Sequence, residues 1–408
     1  MRAPAEGARA GRTGSTRRQF LLGGAVAGVG AAAAVGIDIA LNQKAAPAVT
    51  PSAPMNGDEK VPFHGIHQAG IDTPAQAHGM FLALDLHDTT DREGVSRLMR
   101  ILTDDAARLT QGAPALADSE PELAASPARL TVTFGFGPRL VARAGGPAPT
   151  WLAPLPAFGI DALQPEFSDG DLLLQVAGDD PLTVAHAARM LLKDSRSFAA
   201  LRWTQTGFRR AYGTERPGTT MRNLFGQVDG TANPEPGTAE FDRVVWADDG
   251  WLSGGTGLVI RRIRMDLDKW DRLDRGGREA SVGRTLGNGA PLTGSAERDE
   301  PDFEAKTAIG FPVIPQFAHI RRARGDDGEK IFRRAYNYDE RPSGGGISES
   351  GLVFVSFQAD VERQFTPMQQ RLAELDLLNE WTTPIGSAVF AIPPGCAEGG
   401  FIGETVLR

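Results

Sequence analysis

Cysteine is nearly missing from this chain, since Cys396 is the single one among 408 residues. One cysteine excludes internal disulfides, and it excludes zinc or iron–sulfur sites built from several thiolates. The protein must therefore be stabilised by its core, for which a hydrophobic content of 41% is sufficient. Cys396 ends a Pro-Pro-Gly-Cys turn, where a small, partly buried side chain is favoured over a reactive nucleophile.

Positive charge is also scarce relative to negative charge. The net charge is −8 at pH 7, and the first 47 residues, with six Lys or Arg and two Asp or Glu, conceal part of the imbalance. Residues 48–408 hold 37 basic against 49 acidic side chains, a net charge of −12. A protein this acidic is a poor candidate for binding nucleic acid or anionic lipid. We therefore expect no nucleic-acid partner.

A long uncharged run lies at the N-terminus, from residue 19 to residue 37, directly after Arg17 and Arg18. Paired arginines before Phe-Leu-Leu resemble a twin-arginine export signal. The run is long enough to raise the alternative of a membrane span, but it consists mainly of Ala and Gly. We therefore favour a removed signal at 1–47 that engages the twin-arginine translocation machinery, followed by a disordered spacer at 48–61. The protein is then expected in the periplasm or outside the cell.

Apolar periodicity predicts alternating strands and helices in the rest of the chain. Strands are predicted at 80–86, 130–136, 171–177, 201–206, 258–265, 352–358 and 388–392, and helices at 91–110, 182–192, 266–270 and 364–378. The strand–helix order of the first half recurs in the second. This indicates an α+β fold of duplicated ferredoxin-like (βαββαβ) domains, with antiparallel sheets and helices packed outside. We place these domains at 62–215 and 216–408.

One carboxylate stands on a glycine-bracketed loop. The segment 222–234 reads RNLFGQVDGTANP, with Asp229 between Gly226 and Gly230. Glycines on both sides allow backbone angles and close approaches that other residues resist. The segment is either an ordinary Asp-Gly turn or a loop that presents an acid to a flat ligand.

Two basic stretches lie in or beside the long Gly-, Pro- and Arg-rich region 276–350, which we expect to carry function. His319 is followed by three arginines within five residues, a pattern that suits an anionic ligand or a partly buried histidine in a basic turn. Arg333 belongs to the stretch IFRRAYNYD, either at a strand edge or as an inward-pointing cation that needs a partner. His64 and His67 lack further ligands at zinc spacing, and His87 and His186 suit structural or surface positions.

Taken together, these segments resemble the dye-decolourising peroxidase family, in particular its exported, deferrochelatase-like branch. The loop at 226–234 is similar to the GxxDG motif of that family. Further similar stretches occur in family order at 63–71, 254–264, 283–294, 331–338, 354–360 and 379–387. The resemblance covers residues 62–394, and the ordered set is more specific than any one motif.

The resemblance implies one haem b per chain, bound in the C-terminal half. By position, His319 matches the axial ligand of the haem iron, Asp229 the distal acid, and Arg333 the distal arginine. The backbone lining the haem is matched by Gly230, Thr231 and Ala232. We expect Asp360 to orient His319, because axial histidines usually donate their second N–H.

The implied function is reduction of hydrogen peroxide and one-electron oxidation of organic donors such as dyes and phenolics, through a ferryl state. Asp229 would shuttle a proton and Arg333 would stabilise developing negative charge. Bulky donors would pass electrons from the surface through aromatic residues, for which Trp381 and Tyr336 are the candidates. Two alternatives stay open, namely release of iron from haem and haem binding without turnover. A homodimer is one of the open oligomeric states.

Overall fold

Five ranges of the chain, 55–248, 250–325, 329–342, 346 and 348–408, are described by a computed structural model. The predicted signal at 1–47 and the first half of the predicted spacer, 48–54, lie outside these residues. None of the helices in the described ranges has the length and apolar character needed to cross a bilayer.

The first half of the described chain contains four strands and three helices in the order β1-α1-β2-α2-β3-α3-β4. Their bounds are β1 His78–Leu86, α1 Arg92–Thr110, β2 Thr131–Phe136, α2 Pro138–Ala144, β3 Leu172–Gly178, α3 Pro181–Ser195 and β4 Ala199–Phe208. All pairings are antiparallel, in the spatial order β4-β1-β3-β2. The six strand and helix predictions in this half are confirmed, and α2 was not predicted.

The described residues of the second half add five strands and six helices. They are α4 Ala239–Val245, β5 Thr256–Met265, α5 Leu267–Trp270, α6 Arg275–Val282, α7 His319–Ala323, β6 Phe332–Arg333, β7 Tyr336–Glu340, β8 Glu349–Gln358, α8 Thr366–Leu375, β9 Thr382–Ile392 and α9 Glu404–Leu407. Strand β5 lies between β9 and β8, and both β7 and β6 pair with β8. The predicted strands of this half are confirmed, and the helix predicted at 364–378 ends earlier, at Leu375.

The two sets of strands are joined into one antiparallel sheet. Each junction is a single paired position, Phe136 with Ala391 on one side and Phe208 with Asn337 on the other. Because β5 also pairs with β8 along its whole length, eight of the described strands form a closed ring. The separate sheets expected from the sequence are therefore connected at both edges, which leaves few unpaired strand edges.

Alternating side chains of the ring supply two different cores. On β1, Leu82 and Leu84 face outward and pack under α1 and α3, whereas Phe81 and Ala83 belong to a cluster with residues from both halves inside the ring. Helix α1 covers the outer face because its apolar residues recur at helical spacing, and Asp91 caps its first turn by accepting a hydrogen bond from the Gly94 N–H at 2.8 Å. A third cluster, around Phe225, Trp270 and Trp381, lies beside the loops of the second half.

Candidate active site

The Asp229 loop is a short hairpin that precedes α4. Arg222 and Val228 form an antiparallel bridge, and Gly226 closes the tip with a φ of +80°, a value that favours glycine. The Asn223 side chain stabilises the tip, because its Oδ1 accepts hydrogen bonds from the N–H groups of Phe225 and Gln227 at 3.1 and 3.2 Å. Asp229 follows directly after the paired arm, so its carboxylate is presented from the end of the hairpin.

Asp229 meets Arg333 across more than a hundred residues of sequence. Arg333 Nη1 donates to Asp229 Oδ1 at 2.8 Å, and Asn223 Nδ2 lies 3.4 Å from Asp229 Oδ2. The Asp229 side chain is 14% exposed and that of Arg333 is 25% exposed. An ion pair at this depth is only partly screened by water, yet both groups remain accessible to a small molecule.

The loop is tied to β6 by a residue that sequence reasoning did not select. Asn233 Nδ2 donates to the Arg333 carbonyl at 2.7 Å, and the Arg333 N–H donates to Asn233 Oδ1 at 3.0 Å. This side chain thus pairs with the backbone as a neighbouring strand would. Its place in the loop was visible in the sequence, but its partner was not.

His319 begins α7 and is held by a buried carboxylate. Its Nδ1 lies 2.6 Å from Asp376 Oδ2, and Asp376 Oδ1 accepts the Leu378 N–H at 3.0 Å. The prediction of Asp360 as the partner is wrong. Asp360 caps the turn that begins at Val361, where its carboxylate accepts the Arg363 N–H. Asp376 follows α8 directly, and the packing of α7 against α8 brings it to the histidine.

The electrostatic environment links these groups. Desolvation lowers the pKa of His319, but the charge and hydrogen bond of Asp376 raise it more, so the net direction is upward. The charges of Arg333 and Asp229 also act on this pKa, in opposite directions. The three predicted polar site residues therefore lie within electrostatic range of one another. Gly230, with φ +128°, and the partly buried Thr231 continue the Asp229 loop, and Ala232 is exposed.

The donor set fits a haem. With Nδ1 engaged by Asp376, the second ring nitrogen of His319 is the one available to a metal, and the ring is 30% exposed. Ile320, Phe354 and Leu377 pack on the third cluster but remain only partly buried. Apolar surface of this kind beside a histidine suits a flat hydrophobic group that carries iron.

The aromatic candidates differ in their surroundings. Trp381 is 8% exposed and its ring lies edge-on to Trp270 at 5.2 Å, while Trp270 stacks on Phe225 at 4.4 Å. This trio ends at the Asp229 loop, and Trp270 was not selected from the sequence. Tyr336 is fully buried inside the ring, under the guanidinium of Arg209 at 5.1 Å.

Three of the other histidines and the cysteine contact partners that are not among these site residues. His67 stacks on Trp246 with ring centroids 3.6 Å apart, and His64 Nδ1 lies 3.7 Å from Cys396 Sγ. His186 is paired with Asp118 at 2.8 Å. Cys396 is buried, and burial raises the pKa of its thiol to about 11. A thiol of this kind is largely unreactive at neutral pH, which agrees with the structural position expected from the sequence.

Comparison with known proteins assigns the class. The N-terminal model of the Dyp-type peroxidase family matches residues 68–209, and the C-terminal model matches residues 220–397. The chain belongs to the Dyp-type peroxidase family and is an enzyme of the peroxidase class.

Individual relatives agree along most of the chain. A dye-decolorizing peroxidase from Thermobifida fusca is 36% identical, with 97% of this chain and 98% of the relative covered. A protein from Yersinia pestis named deferrochelatase is 34% identical, with coverage of 96% and 95%. The crystal structure of a DyP-type peroxidase from Cellulomonas bogoriensis is 56% identical with a TM-score of 0.85, and covers 87% of this chain and 100% of its own.

Proposed function

We propose that this protein reduces hydrogen peroxide and oxidises organic donors with a haem held in its C-terminal half. The observation that carries the proposal is the 2.8 Å contact between Arg333 Nη1 and Asp229 Oδ1, in the region whose charges also act on His319. Bound haem supplies the iron that binds peroxide and accepts its oxidising equivalents.

His319 would hold the iron through the ring nitrogen opposite Asp376. The 2.6 Å contact with Asp376 orients the ring and increases its electron donation. Asp376 is therefore a positioning residue for His319. Gly230, Thr231 and Ala232 would line the haem with backbone, as the family pattern implies.

Asp229 and Arg333 would divide the proton and charge chemistry. Asp229 takes the proton from one peroxide oxygen and delivers it to the other, so that water can leave. Arg333 stabilises the negative charge that develops on the departing oxygen. Two hydrogen bonds with the Asn233 side chain fix the Arg333 backbone, and the contact with Asp229 orients the guanidinium.

Purified holoprotein and three variants test these roles. We expect Arg333→Ala to slow the peroxide-dependent change in the Soret band about 10²–10³-fold, and more than Asp229→Ala does. A pocket water can relay a proton but cannot replace a permanent cation. Arg272→Ala, at an exposed arginine, is the control. Equal or reversed losses in stopped-flow spectra contradict the ranking, and a protein without a Soret band contradicts the function.

Release of iron from haem is the second candidate function. It is supported by the relatives named deferrochelatase, which are 33–34% identical over at least 93% of this chain. The Arg333–Asp229 pair argues against the other alternative, haem binding without turnover, because a pure haem carrier needs neither group. Porphyrin fluorescence that rises when holoprotein is incubated with a reductant, without peroxide, would establish the second function.

The remaining assignments are proposals on the organisation of the chain. The strand orders β4-β1-β3-β2 and β9-β5-β8-β7 support two ferredoxin-like units divided near residue 215. The paired arginines support a twin-arginine signal over 1–47, and we expect Arg17→Lys with Arg18→Lys to retain the protein in the cytoplasm. Light scattering after size exclusion distinguishes a monomer from the homodimer.

A further inference from the structure

Glu297, between α6 and α7, accepts two hydroxyl hydrogen bonds on one carboxylate oxygen. Thr220 Oγ1 donates to Glu297 Oε1 at 2.6 Å, and Thr231 Oγ1 donates to the same atom at 2.9 Å. All three residues are partly buried. A carboxylate that receives two such bonds is held more firmly than a solvated surface glutamate, because charge-assisted hydrogen bonds are the stronger kind.

The two threonines stand at the open end of the Asp229 hairpin. Thr220 precedes the arm in which the Met221 carbonyl accepts the Asp229 N–H at 2.8 Å. Thr231 follows the other arm, two residues after Asp229. The Thr220 methyl group would lie 3.4 Å from a Cβ at Gly230, so it also packs over the turn after the acid. Glu297 therefore joins the two arms at the point where the acid emerges.

Glu297 is itself fixed to the surrounding loop. Arg284 Nη1 donates to the carbonyl oxygens of Glu297 and Gly289, both at 2.7 Å. Ala296, the residue before Glu297, is also held, because its N–H donates to Asp299 Oδ2 at 2.8 Å. The charged groups near Arg284 include Glu297 and Arg333. Glu297 and Arg333 therefore both lie near Arg284.

We propose that Glu297 is a positioning residue for the peroxide reaction, because its bonds to Thr220 and Thr231 hold the Asp229 hairpin in register with Arg333. The proposal rests on the roles assigned to Asp229 and Arg333 above. Without these bonds the open end of the hairpin would be held only by its own backbone pairing and through Asn233. The carboxylate could then shift, and displacement by about 1 Å can cost about 10²-fold in rate.

Two matched pairs of variants separate geometry from charge. Glu297→Gln keeps an oxygen that can accept both hydroxyls, whereas Glu297→Ala removes it. Thr231→Ser keeps the donor, whereas Thr231→Val removes it at similar volume. Glu304→Ala, at an exposed glutamate of the same segment, is the control. We expect Glu297→Ala to lower kcat/KM for peroxide ~10–100-fold and to leave KM for the organic donor unchanged. Glu297→Gln should stay close to wild type.

A second readout needs no haem. Hydrogen–deuterium exchange of the peptide 220–234 in haem-free protein should accelerate in Glu297→Ala and Thr231→Val, and stay unchanged in Glu297→Gln and Thr231→Ser. In the double variant Glu297→Ala with Thr231→Val, the loss of kcat/KM should be no greater than in Glu297→Ala, since the bond that Thr231→Val removes is already lost in Glu297→Ala. If Glu297→Ala unfolds the protein, the Thr231 pair still decides the result.

Three outcomes overturn the proposal. The first is wild-type peroxide kinetics in both Glu297→Ala and Thr231→Val, and the second is a loss in Glu297→Gln as large as in Glu297→Ala. The third is an equal loss of kcat/KM for peroxide and of kcat/KM for the organic donor, which indicates a general structural defect. If Asp229→Ala is impaired while Glu297→Ala is not, this inference alone fails. If Asp229→Ala reacts normally, the proposed function of Asp229 fails instead.

Discussion

The two halves of the molecule each contain a histidine paired with an aspartate, and the pairs differ in exposure. In the first half, His186 lies 2.8 Å from Asp118, and the two side chains are 1% and 0% exposed. In the second half, His319 lies 2.6 Å from Asp376, with 30% of the histidine side chain exposed. The same two residue types therefore stabilise packing in one half and leave a ring nitrogen accessible in the other.

The difference follows from what is inserted between the strands. In the first half, helices α1 and α3 cover the outer face of the sheet with a continuous apolar core. In the second half, the connection from β5 to β6 runs through short helices and loops that carry Glu297 and His319. Loops on a rigid scaffold can leave polar groups open to a ligand, whereas a helix packed on a sheet cannot.

Substituting each of the two histidines by alanine is the strongest test of this comparison. We expect His319→Ala to abolish the Soret band of the reconstituted protein, whereas His186→Ala should leave that band unchanged. Each substitution leaves a buried aspartate without its histidine, so each should lower the Tm of the haem-free protein by several degrees. Loss of haem in both variants, or in neither, contradicts the division between the halves.

A core substitution in the first half should have the next largest effect. Leu98, on α1, is fully buried, so Leu98→Ala should lower the free energy of unfolding by about 2–5 kcal/mol. The Soret band should be unchanged well below the new Tm. Leu182→Ala, at a residue that is 58% exposed, is the control and should change the free energy of unfolding by less than about 0.5 kcal/mol. A haem spectrum altered by Leu98→Ala would show that the halves are coupled.

The pH dependence of stability should originate partly in the first half. Desolvation, then the hydrogen bond and charge of Asp105, raise the pKa of Asp194 to about 7, against the opposing charges of Lys193 and Arg196. The folded state therefore favours the protonated acid. This stabilisation is complete below the ordinary pKa near 4 and is lost as the pH rises towards 7.

We expect the urea midpoint of the wild type to fall between pH 5 and pH 8 more steeply than that of Asp194→Asn. The amide cannot ionise, so it does not place a second negative charge beside Asp105. Parallel curves for the two proteins would remove Asp194 as the source of the pH dependence.

The smallest expected effect concerns electron transfer in the second half. Trp381→Phe should slow oxidation of a bulky dye several-fold and leave the reaction with peroxide unchanged, because Trp381 connects through Trp270 to the Asp229 loop. Tyr336→Phe should leave both reactions unchanged, since Tyr336 is enclosed in the ring. A larger effect from Tyr336→Phe would reverse this assignment.

Local pattern was sufficient for the longer strands and helices and for three residues of the site, whereas short elements such as α2, α4 and α7 were not predicted. Burial dictates both the helical spacing of apolar residues in α1 and the continuous apolar stretch of β3. Burial therefore leaves a local pattern in the sequence. Asp229, Arg333 and His319 stood out because each lies in an unusual local setting of glycines or arginines. Their approach to one another is a structural observation, and their catalytic roles stay proposals.

Contacts between residues far apart in the chain leave no such pattern in the sequence. Asp376 and Asp360 are both aspartates beside the helix α8, and sequence reasoning chose the wrong one because only packing of α7 on α8 distinguishes them. Asn233, a hundred residues from Arg333, is a similar case. The amino-acid sequence by itself determined which side chains can do chemistry and which faces are apolar. The tertiary structure alone decided the closure of the ring and the partner of each charged group, since those depend on contacts between segments far apart in the chain.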